Sequence, residues 1–95
     1  MVKISSYIIH INNIKTSIRL TQTEWQAINI ICEKENIKRT HLFNLIYKNK
    51  NKDLSFSASI RLFSIIYFKK TFTNKLSINK KENTPPIFDA IKGIA

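Results

Sequence analysis

The chain is poor in the residue types that most functional sites require. Among its 95 residues there is one cysteine, Cys32, so an intrachain disulfide and a thiolate metal site are both excluded. Two histidines, His10 and His41, are too few for most zinc arrangements. The one glycine, Gly93, excludes a glycine-rich phosphate loop. Strictly apolar runs reach only three or four residues, as at 65–68, so no segment is expected to span a bilayer. The first seven residues hold one lysine and no apolar block of leader length, so no secretory leader is expected. Acids are scarce too: six Asp+Glu stand against sixteen Lys+Arg. Glu33 and Glu35 fall on the wet end of a helix, and neither Cys32 nor any serine has a base partner at a recognisable spacing. No enzyme, metal or cofactor is expected, and the default is a cytoplasmic protein.

What is present is positive charge and isoleucine. The formal charge is +10, and apolar residues make up 43% of the chain, too many for full-length disorder. A charge this large on so small a body seeks a polyanion. Ile, Lys and Asn account for 41 of the 95 residues, and all three have A/T-rich codons, so drift could supply some of the lysine. Drift would spread lysines evenly, and these are not even. Residues 1–20 carry +3 without an acid, 21–36 carry −2, 37–52 carry +5 without an acid, and 53–70 and 71–95 carry +2 each. That pattern favours an organised cationic face. A chain this short also buries little by itself, so self-association would help it.

Residues 7–11 are β-branched and aromatic and read as a strand, with Asn12 and Asn13 as a tight turn. A second strand follows. In it Ile18 and Leu20 share one face, while Lys15, Ser17 and Arg19 share the other. Thr21 and Glu24 have capping-box spacing, so a helix begins there. Trp25, Ile28, Ile31 and Cys32 form its apolar stripe. Asn36 suits the left-handed position that closes a helix. A second helix starts near 38–40, with Leu42, Phe43, Ile46 and Tyr47 as its apolar face. Residues 48–52 read as helix end and loop. Ser55 or Ser57 caps a third helix running to about residue 70. That helix is apolar on most sides and is expected to lie between two partners. Residues 71–95 read as a basic, loosely held tail with a short helical turn in 87–91.

Alternating strand, capped helix, Asn-closed turn and second helix: over KTSIRLTQTEWQAINIICEKENIKRTHLFNLI, residues 15–46, this order resembles the ribbon-helix-helix family of DNA-binding proteins. FSASIRLFSIIYF at 56–68 extends the likeness to a bacterial subfamily with a third helix. There a T-S-apolar-R-L strand, an early Trp in helix one and an S-x-x-apolar-R-x-F run recur, here at 16–20, Trp25 and 57–63. The resemblance covers roughly residues 7–70. It implies a mainly α fold with a short β-ribbon, formed by two intertwined chains. The domain would be 15–70, with 1–14 an extra strand and 71–95 the tail. Ile18, Leu20, Trp25, Ile28, Ile31, Phe43, Ile46 and Phe63 would form the dimer core. The ribbon would offer Lys15, Ser17 and Arg19 to bases in the major groove. The start of the second helix, with Lys38, Arg39 and Thr40, would hold a backbone phosphate. Two positions depart from the family: Asn36 stands where Gly commonly turns. Lys38 stands where Ser or Thr commonly caps, which allows a helix start at Thr40 instead.

Three other readings stay open. Residues 25–47 could act as a helix-turn-helix, with Thr40, His41 and Asn44 reading bases. The chain could be an antitoxin-like interaction module whose 71–95 tail folds on a second protein. It could also be a basic protein of membrane surfaces, its third helix at the interface. The leading expectation is a homodimeric, sequence-specific regulator bound to double-stranded DNA.

Overall fold

The computed structural model describes residues 4–11, 14–76 and 85–95. Strands β1 (Ile4–Ile11) and β2 (Ile14–Thr21) are followed by helices α1 (Gln22–Glu35), α2 (Arg39–Asn49), α3 (Phe56–Leu76) and α4 (Pro86–Ile94). The two strands pair antiparallel from Ile4↔Thr21 to Ile11↔Ile14. That register leaves two residues for the connection; the expected Asn12–Asn13 turn itself lies outside the described residues.

This pairing agrees with the tight turn expected between the strands, with β1 folded back along β2. The segment expected as an extra strand lies along the whole of β2. A two-residue connection of this kind favours a hairpin between adjacent strands. The faces of β2 are as expected. Ile18 and Leu20 are fully buried, and Lys15, Ser17 and Arg19 are exposed.

Thr21 ends the ribbon and caps α1. Its hydroxyl accepts from the Glu24 N–H at 3.2 Å, and the Glu24 carboxylate accepts from the Thr21 N–H at 2.8 Å. α1 buries Trp25, Ile28 and Ile31. It closes on Asn36, at φ 54° and ψ 48°, with the Ile37 N–H donating to the Cys32 carbonyl at 3.0 Å. This is the Schellman closure, and Asn fills it because its side chain tolerates the left-handed region better than others. α2 begins at Arg39, with Lys38 extended at the cap position and making no side-chain cap. α3 is capped by Ser55, whose hydroxyl accepts from the Ala58 N–H at 3.1 Å. The helix runs six residues beyond the expected end, to Leu76.

α4 is the largest correction to the C-terminal region. In place of a short turn in a loose tail there is a nine-residue helix, with Ala90 and Ile94 fully buried. Ile87, Ala90, Ile91 and Ile94 recur at helical spacing and lie against α3. Gly93 lies against Ile66 of α3, whose terminal Cδ1 would have to move aside for a Cβ at that position. Lys70 and Asp89 pair at 3.1 Å across the same contact.

All eight residues expected at a dimer core are already buried within the single chain. α3 packs against α1, α2 and α4 of the same chain and leaves Ile65 and Phe72 exposed. Trp25, Phe43, Phe56 and Tyr47 form a run of edge-on rings with centroids 5.9, 6.1 and 5.3 Å apart. Such contacts add to what their burial already contributes. Tyr67, buried on α3, donates its hydroxyl to Glu35 at 2.7 Å and so ties α3 to the end of α1.

Two outcomes are expected. Ile94→Ala removes a fully buried side chain from α4 and should destabilise the fold by about 3 kcal/mol in urea unfolding; a loose tail would give no change. Burial raises the Glu24 pKa, but hydrogen bonds from Thr21 and the charge and hydrogen bond of Arg61 outweigh it, so the net shift is downward. A depressed folded pKa stabilises above the unfolded value, about 4.3, and that contribution is lost as pH falls through the folded pKa. Thermal unfolding of Glu24→Gln should therefore lose part of the acid-side slope seen in the parent.

Candidate nucleic-acid interface

In an antiparallel pair, residues directly opposite one another share a face. Arg19 stands opposite Ser6, Ser17 opposite Ile8, and Lys15 opposite His10. All six are exposed. The outward face of the ribbon thus holds the three residues expected from β2 and three more from β1. Ile8 is 65% exposed at its centre, an apolar side chain between polar neighbours. The β1 residues were missed because 7–11 was read as an accessory strand. The alternation of Ser6, Ile8 and His10 against Tyr7, Ile9 and Ile11 was the available signal.

β2 has a second edge, and at Arg19 it is occupied. The Arg19 N–H donates to the Ser57 hydroxyl at 3.4 Å, and its carbonyl accepts from Nη2 of Arg61 at 3.2 Å. Arg61 also donates through Nε to Oε2 of Glu24 at 2.6 Å. Backbone groups alternate sides along a strand, so those of Lys15 and Ser17 point to this same edge. Nothing in the side-chain pattern alone announces these contacts, since they end on backbone.

The start of α2 presents exposed Lys38, Arg39 and Thr40. There is no acid in its first turn, and its first N–H groups have no side-chain cap. A helix start of this kind favours an anion. Lys38 and Thr40 extend into solvent. Arg39 is partly engaged: its guanidinium sits 5.3 Å from the Trp25 ring centroid, and Nη2 donates to Asn29 at 2.9 Å. Its charge also opposes the rise that burial imposes on the Cys32 thiol pKa. The expected phosphate residue therefore also joins α2 to α1.

A largely apolar groove of about 370 Å³ lies between α1 and α3, lined by Thr23, Glu24, Ala27, Arg61, Ser64, Ile65 and Phe68. Its one carboxylate, Glu24, already accepts from Thr21 and Arg61. Among the described residues no group of three or more His, Cys, Asp or Glu could hold a metal ion. Among the same residues no helix is long and apolar enough to cross a membrane.

A family model described as a ribbon-helix-helix domain matches residues 6–68, from β1 to the middle of α3. No curated protein and no solved structure matches the chain.

The two roles at the start of α2 separate by mutation. Arg39→Ala should lower stability by about 1 kcal/mol, because a cation over an indole and a hydrogen bond are both lost. Lys38→Ala should stay within about 0.5 kcal/mol of the parent. Denaturant titration followed by Trp25 fluorescence measures both.

Proposed function

The chain belongs to the ribbon-helix-helix family of DNA-binding regulators, and from that premise we propose that it is a sequence-specific transcriptional regulator acting as a homodimer on double-stranded DNA. One observation carries the reading: a ribbon that buries Ile11, Ile18 and Leu20 on one face turns Lys15, Ser17 and Arg19 outward together on the other. The major groove is wide enough for a two-stranded ribbon. Arg19 can address guanine O6 and N7 with two donors, Lys15 can approach the same atoms, and Ser17 tolerates several partners. Lys38, Thr40 and the first N–H groups of α2 hold a phosphate and fix the register. Arg39 adds charge there from its place over Trp25.

The homodimer is proposed with one ribbon per chain. Joining β2 to a partner's β2 while β1 stays paired would make four strands, about 14 Å across at the usual strand spacing. The groove is about 12 Å wide. Two chains instead present two ribbons to two half-sites. Exposed Ile65 and Phe72 on α3 offer apolar surface for their association. No catalytic step enters this reading, and the site of action is the bacterial cytoplasm, where the DNA is.

Selection from a random duplex pool, followed by titration at several salt concentrations, tests it. Neutralising about six phosphates per dimer gives a log–log salt slope of about −5. Arg19→Ala should flatten sequence preference, whereas Lys38→Ala should weaken all duplexes alike. Binding that is absent or indifferent to salt overturns the proposal. Ser17→Pro tests the arrangement of strands. The Ser17 N–H faces away from β1, so proline leaves the hairpin ladder intact. Light scattering should still find a dimer; loss of the dimer would point to a ribbon shared between chains.

A further inference from the structure

The S-x-x-apolar-R-x-F run at 57–63 has two kinds of residue. Ile60 and Phe63 are fully buried and hold α3 in the core. Ser57 and Arg61 lie one helical turn apart, and both reach the same backbone unit, that of Arg19. Ser57 accepts its N–H and Arg61 donates to its carbonyl. Both bonds end on backbone, and the Arg19 side chain is exposed on the ribbon's outward face. Arg61 is itself fixed by Glu24, whose other oxygen holds the Thr21 N–H at the ribbon's end. Arg19 is therefore the position of β2 gripped on both backbone groups by another element, and it is also the residue best suited to read guanine.

We propose that Ser57 and Arg61 are positioning residues that clamp the Arg19 backbone and so fix the angle at which its guanidinium enters the groove. The inference rests on the reading of the ribbon as the DNA-binding face. Bidentate recognition is strict in geometry: both donors must meet O6 and N7 at once. Burial of Ile18 and Leu20 holds the dry face of the ribbon, but two-stranded ribbons twist more strongly than wider sheets, and that packing does not grip the free edge. Attachment of its far edge to α3 removes that freedom where it matters. The clamp also covers open backbone groups at an edge that would otherwise invite another strand.

The clamp acts through Arg19, and that sets the test. A preferred duplex is first selected with the parent protein. If no duplex is preferred, the DNA-binding reading itself fails. With a preferred duplex in hand, Ser57→Ala and Arg61→Lys are compared with the parent on that duplex and on a scrambled one. Arg61→Lys keeps the charge but loses the planar fork that reaches Glu24 and Arg19 together. Each variant should lower the ratio of preferred to scrambled affinity about tenfold, with the salt slope unchanged, and Ser57→Thr should restore it. In an Arg19→Ala background the same substitutions should leave the ratio unaltered, because the side chain they position is gone. Should Arg61→Lys fail to fold by circular dichroism, Ser57→Ala carries the comparison alone. An unchanged ratio in Ser57→Ala, or an equal loss in the Arg19→Ala background, overturns the clamp while leaving DNA binding intact.

Discussion

The rest of the structure depends on how the Glu24 carboxylate divides its two oxygens. One accepts the Thr21 N–H and sets the point where strand becomes helix. The other accepts from Arg61 and draws α3 against that same junction. Three elements are registered by one side chain. The pair is partly exposed, with 45% of the Arg61 side chain and 27% of the Glu24 side chain open to solvent. Solvent screening keeps its own energy modest. Its importance is geometric: one side chain joins the end of β2, the start of α1 and the flank of α3 at a single point.

Around that junction the chain builds a core from its own elements. β1 completes the ribbon, α4 covers α3, and the interior closes on Trp25, Phe43, Phe56, Phe63 and Tyr67. This matters for recognition because a reading face is only as well placed as the surface it rests on. Ile18 and Leu20 tie the dry side of the ribbon to the helices, and Lys15, Ser17 and Arg19 follow by alternation on the wet side. The cationic start of α2 is fixed separately, through Arg39 over Trp25.

Much of this was legible in the residues. Alternation in 14–20 gave the faces of β2, Thr21 and Glu24 gave the start of α1, and Asn36 gave its close. These are local rules, satisfied within one turn or one strand. What escaped was non-local. The same alternating strand serves a hairpin or a ribbon between chains, so β1 could not be assigned its partner from pattern alone. α4 was underrated because it is short, follows two prolines and comes after a polar stretch, although 87, 90, 91 and 94 carry the spacing of a helix face. The grip of Ser57 and Arg61 on Arg19 ends on backbone atoms, which every residue has, so no side-chain complementarity marked it. Arg39 was read for its charge, and its place over Trp25 depends on how two helices cross.

A hairpin that completes its own ribbon has a consequence in mass action. Where two chains must share a ribbon, dilution dissolves the reading surface itself, and the DNA-binding fraction falls with protein concentration. Here β1 and β2 are joined covalently, so the ribbon is present at any concentration. Association then changes how many ribbons engage a site, and not whether one exists. For the proposed regulator, this would preserve the fit to a single half-site at low protein concentration and place the concentration threshold in the filling of the second.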